Sequence, residues 1–139
     1  MRTLLLAGAL LALVAGRAEA SRVPAVCPGP AGSTDPIEAA QVFLERVVER
    51  TNPEAGYRFV TDAARHGITC KSWVRGRIPF KAYRHIDWNH STYRRVAVGT
   101  GQIVLRVSLR STAQTKPTTF LLELREQGAR WQVGFWGRG

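Results

Sequence analysis

The stretch QIVLRVSLR, residues 102–110, sets Ile103, Leu105, Val107 and Leu109 against Arg106, Ser108 and Arg110. Strict alternation of apolar and polar side chains is the pattern of a strand with one face buried and one face wet. Period 2 begins at about Tyr93, and Gly99 and Gly101 within it predict a bulge or sharp bend in one long strand. A polar loop, STAQTKPT, separates it from Thr119–Glu126, where Phe120, Leu122 and Leu124 alternate again. EQGAR then makes a turn into a last strand with Trp131, Val133 and Phe135 on one face.

Upstream of this sheet the pattern is helical. Asp35 is a good N-cap, Pro36 suits the first helical position, and Glu38 stands where a capping box needs it. Ile37, Ala40, Phe43, Leu44, Val47 and Val48 form one apolar stripe to about residue 50. Glu38, Glu45 and Glu49, beside Arg46 and Arg50, read as its solvated face. Asn52-Pro53 repeats the cap-then-proline signal and predicts a second helix to about Arg65, closed by Gly67, with Tyr57, Val60 and Ala64 inward. ITCKSWV reads as a short strand, and no regular structure is assigned between it and Tyr93. Helices followed by an antiparallel meander make an α+β two-layer plan: two N-terminal helices packed on a curved antiparallel sheet.

The first twenty residues stand apart. MRTLLLAGALLALVAGRAEA has a basic start at Arg2, an apolar run from Leu4 to Ala15, and Ala18-Glu19-Ala20 at its end. That is the plan of a secretory signal peptide cleaved after Ala20. Its apolar run falls short of the roughly 20 residues a membrane helix needs, so the expectation is an exported chain with no transmembrane anchor once the signal is removed. Residues 21–34, rich in Pro, Gly and Ser, read as an irregular arm, leaving one domain over 35–139. The destination is the periplasm or the cell exterior. Cys27 and Cys70 are the only cysteines, and an even count in an oxidising compartment favours a disulfide between them. Closing that loop would restrict the unfolded chain by roughly 4 kcal/mol.

Cleavage would remove two basic residues and one acidic residue, leaving 18 basic against 9 acidic side chains. The excess is concentrated in KSWVRGRIPFKAYRHIDWNHSTYRR, residues 71–95, which holds seven Lys/Arg, five aromatics and the single acid Asp87. Trp73, Arg75, Arg77, Arg84, Trp88, Arg94 and Arg95 are the candidate binding residues within it. Such mixtures suit nucleic acid by phosphate attraction and base stacking. Export makes an anionic surface or an acidic protein the fitter partner. A plainer reading has the aromatics in the core and their Arg neighbours facing water.

Order and pattern, ending in GARWQVGFW, resemble the NTF2-like (cystatin-like, α+β cone) superfamily, whose exported bacterial members often end in a Gly-x-x-Trp-x-Val strand. The resemblance covers most of 35–137 and implies a bent sheet around a helix, with a conical pocket that is an isomerase or dehydratase site, a ligand site, or filled. Cystatins proper fit less well, since VAVGTG at 96–101 lacks the Gln of their Gln-x-Val-x-Gly loop. For an isomerase-like enzyme the candidate bases are Asp62 and Asp87, with Tyr57 as a donor. His85, Asp87 and His90 could approach a metal, but nothing regular is expected to hold them there, and two exposed loop histidines are the simpler reading. No nucleophile elbow, phosphate loop or dinucleotide fingerprint is present in the sequence. The expectation is a non-enzymatic binding or accessory protein without a cofactor. The alternatives are a small isomerase or dehydratase, and a secreted inhibitor or toxin.

Overall fold

The computed structural model describes Cys27 and residues 31–139. The export signal expected over 1–20 and most of the arm expected over 21–34 lie outside the described residues. Helix α1 spans Pro36–Phe43 and continues as a π-helical turn, Leu44–Val48. Helix α2, Pro53–Gly56, runs into a 3-10 turn at Tyr57–Phe59, and helix α3 spans Cys70–Val74. Strands β1 (Thr92–Gly99), β2 (Gln102–Leu109), β3 (Thr118–Gln127) and β4 (Arg130–Arg138) form one open antiparallel sheet in chain order. The architecture is α+β. Among the described residues no helix is long and apolar enough to cross a membrane.

Asp35 caps α1 as its position demands, accepting from the Ile37 N–H at 2.9 Å. Glu38 does not close the capping box directly. Its carboxylate accepts from the Ser33 hydroxyl at 2.9 Å, and that oxygen in turn accepts from the Asp35 N–H at 3.1 Å. At the other end Arg50 takes a left-handed backbone, φ 67°, and its guanidinium donates to the carbonyls of Val47 and Phe80. It closes the helix instead of floating on a solvated face. Burial, with Arg84 nearby, pulls its pKa below the ordinary arginine value. Glu49 is not simply solvated either, because its carboxylate accepts from the Ile86 N–H at 3.2 Å.

The second helix is much shorter than expected. Gly56 sits against the Val47 side chain, and beyond it the chain leaves helical geometry so that Val60 can bridge to Val133 of β4. The Thr61 N–H donates to the Val133 carbonyl at 2.9 Å. Satisfying the edge of β4 outweighs local helix propensity here. ITCKSWV is a helix start and not a strand. The Thr69 hydroxyl accepts from the Ser72 N–H at 3.2 Å, and one turn later Trp73 is fully buried. Cys70, at the head of α3, stands at disulfide distance from Cys27, with Cα atoms 5.7 Å apart.

The glycines at 99 and 101 do not bend one long strand; they end it. Gly99 pairs with Gln102 around a two-residue turn, and Gly101, at φ 66°, supplies the left-handed residue. The bulges lie elsewhere, at Val96 in β1 and at Gly134 in β4. The second bulge breaks the expected Trp131–Val133–Phe135 face. One extra residue reverses the side-chain phase, so Phe135 turns outward and Trp136 turns inward. Trp136 stacks on Phe120 at 4.4 Å and meets the edge of Phe43 at 5.9 Å. Around these rings Leu105, Leu122, Leu124 and Val133 complete a core that α1 covers over β3 and β4. The cover does not extend to β1, which is exposed at every residue.

Candidate binding surface

Residues 71–95 form α3, a strap and the first half of β1. The strap is pinned by its backbone: Tyr83 donates to the Val48 carbonyl at 2.9 Å and Asp87 to the Arg110 carbonyl at 2.7 Å. The His85 carbonyl accepts from the Thr112 N–H at 2.8 Å. Phe80 and Ile86 are buried, and the Tyr83 hydroxyl donates to the Leu109 carbonyl at 3.1 Å. The charged residues between these anchors face water.

The seven candidate residues therefore part company. Trp73 is fully buried, its indole N–H donating to the Pro53 carbonyl at 2.7 Å, and it offers no binding surface. Arg75 and Arg77 are exposed just after α3, and Arg84 is exposed on the strap. Trp88, Arg94 and Arg95 are exposed around β1, and these three share one region of the fold.

Register gives that region its chemistry. Tyr93, Arg95 and Val98 pair with Val107, Leu105 and Ile103, which belong to the core-facing side of the sheet. Thr92, Arg94 and Ala97 pair with Ser108, Arg106 and Val104 on the outer side. Arg94 and Arg106 are thus directly opposite one another and both exposed. Like charges in that position repel. Glu123, which also lies on the outer face, is engaged by Arg125. Arg106 was legible as an outward residue, but only the strand pairing adds it to the basic group.

On the inner side, where α1 and its π-helical turn approach the strands, a groove of about 310 Å³ lies among Gln41, Leu44, Glu45, Trp88, Tyr93, Val107 and Leu109. Trp88 is 41 %, Tyr93 48 % and Val98 68 % exposed, so β1 presents apolar as well as basic side chains. The two sheet edges also differ. Ser33 exchanges two backbone hydrogen bonds with Trp131, and Val60 bridges to Val133, so the first half of β4 is covered. Among the described residues no strand or bridge covers the free edge of β1.

The candidate acid–base residues lie in two other places. Asp62 is almost wholly exposed and ion-paired with Arg65, whose guanidinium lies 4.1 Å over the Tyr57 ring. Arg65 also donates to the Tyr57 and Val60 carbonyls at 2.9 and 3.0 Å, and its burial lowers its pKa. These groups line a polar cleft of about 790 Å³ beside Cys27 and β4. Asp87 bonds the His90 Nδ1 at 2.7 Å, which holds its carboxyl below the usual aspartate range. Each carboxylate is engaged, and a lowered pKa makes Asp87 a weaker base. His85 is exposed on the strap, and among the described residues no group of three or more His, Cys, Asp or Glu side chains converges as a metal site would require.

Comparison with protein-family profiles, with curated proteins and with solved structures finds no match for the chain.

Proposed function

We propose that the protein is an exported, non-enzymatic binding protein that engages an anionic partner through the β1 side of its sheet. One observation carries this reading: Arg94, Arg95 and Arg106 are exposed together on β1 and β2, with Arg94 and Arg106 paired against their own repulsion. A partner's negative charge would relieve that repulsion. Arg75, Arg77 and Arg84 extend the positive field without sharing the strand. The Cys27–Cys70 pair is compatible with an oxidising compartment, the destination that the signal-peptide reading of the first twenty residues implies. The two bulges and the helical cover on one side of the sheet support an NTF2-like cone as the scaffold. The isomerase or dehydratase alternative draws less support, because Asp62 is held by Arg65 and Asp87 by His90.

The test is binding of a fluorescent polyglutamate peptide across a sodium chloride series, with Arg94→Ala/Arg95→Ala as the comparison. Affinity should fall steeply with salt and fall again in the double variant. Affinity indifferent to salt would sink the proposal.

A further inference from the structure

Resting on that reading, we infer that β1 takes an extended acidic segment of another polypeptide as a fifth strand of the sheet. Among the described residues no strand or bridge pairs with the outer edge of β1, which presents the row of backbone donors and acceptors that strand addition uses. The opposite edge is partly occupied, by Ser33 at Trp131 and by Val60 at Val133, whereas among the described residues β1 has no such partner at any position.

The register of β1 also specifies the guest. Residues facing each other across a ladder share a side of the sheet. An antiparallel guest therefore meets Val98, Ala97, Arg95, Arg94 and Tyr93 in that order, with a spacer opposite Ala97 and no residue opposite the bulged Val96. Opposite Val98 and Tyr93 it needs apolar side chains, the second directed to the groove between Trp88, Val107 and Leu109. Opposite Arg95 and Arg94 it needs two consecutive acids, one on each face. The acid on the outer face answers Arg94 and dilutes its repulsion with Arg106. The recognised pattern is apolar, spacer, acid, acid, apolar.

A second copy of this chain does not meet that need. It carries the same net charge of +10, and nowhere in its sequence are two acidic residues adjacent. A lipid surface satisfies the arginines but cannot supply alternating main-chain groups to a strand edge. Charge and hydrogen bonding together point to a foreign acidic strand.

The experiment uses a short acetylated peptide containing Ile-Thr-Glu-Glu-Val and two N-methylated versions of it. One version is methylated at the odd amides and the other at the even ones, and all three carry the same charge. Only alternate N–H groups of a guest strand point at its neighbour. Strand addition therefore predicts that one methylated phase binds about tenfold or more weakly while the other stays within about twofold of the parent. Arg94→Ala/Arg95→Ala should weaken the parent peptide, and vesicles of phosphatidylglycerol should bind less well than the peptide. If both methylated phases bind like the parent, the strand is wrong and the anion-binding reading stands. If vesicles bind and the peptide does not, the partner is a membrane surface and the inference is overturned. If peptide, polyglutamate and vesicles all fail to bind, the underlying reading falls with it.

Discussion

Arg94 and Arg106 face each other across the β1–β2 ladder, two exposed guanidinium groups where a stabilising sheet would place opposite charges. Replacing one by an acid converts a repulsive cross-strand pair into an attractive one. Arg106→Glu is expected to raise stability by about 0.5 kcal/mol, within the range of such pairs. It should also weaken binding of an acidic peptide and flatten its salt dependence. Urea midpoints and a salt titration on the same variant check both. A variant that is less stable and binds equally well would show that the pair serves neither role.

The two tryptophans of the basic stretch should behave in opposite ways. Trp73 is enclosed by Tyr57 at 5.2 Å and Phe80 at 6.4 Å, so Trp73→Ala leaves a cavity and should cost about 3–5 kcal/mol. Trp88 sits in a 3-10 turn, 41 % exposed, and Trp88→Ala should change stability by about 0.5 kcal/mol or less. Peptide binding should follow the reverse order once the folded fraction is accounted for. Chemical denaturation and peptide titration of the two variants give the comparison directly.

That contrast shows where a linear reading stops. Period-2 alternation located Ile103, Leu105, Val107 and Leu109 on one buried face, because each side chain's direction follows from its neighbour's. The same rule failed at Phe135 and Trp136, because Gly134 inserts one residue and every later side chain changes sides. Only the space between Phe43 and Phe120 decides which ring enters the core. α1 was legible from its cap and apolar stripe. α2 and α3 were not, because both lengths depend on tertiary partners: Val133 recruits Val60, and Pro53 receives the indole of Trp73. The candidate site was half legible. Charge density singled out Arg94 and Arg95, but the pairing that adds Arg106 and the uncovered edge of β1 exist only in the folded sheet.

Asp87 gives the fold a measurable acid dependence. Its hydrogen bond to His90 is the largest cause of a pKa below the ordinary value. A carboxyl whose folded pKa is lowered contributes stability that is fully present above its unfolded value, about 3.9 for aspartate. That stability is lost as the pH falls through the lowered folded value. Asp87→Asn should therefore be less stable than the parent at neutral pH, and the gap should close below about pH 4. Urea midpoints of both proteins across an acid series test this. No gap at any pH would mean that Asp87 acts through its backbone, whose N–H donates to the Arg110 carbonyl in both proteins, and not through its charge.

Gly56 of α2 packs against Val47 of the π-helical turn that continues α1. A Cβ built on Gly56 would overlap the Cγ2 of Val47, which is fully buried and has no room to retreat. Gly56→Ala should therefore cost about 1–3 kcal/mol through overpacking, despite alanine's better helix propensity. Val47→Ala removes the offending methyl groups and leaves a cavity of its own. The two changes together should be less damaging than their separate effects predict, since the new methyl partly fills the space that the valine vacates. A double-mutant cycle in urea reads the coupling. Simple additivity would mean that the helices move apart to admit the methyl, so that Val47 does not set their spacing.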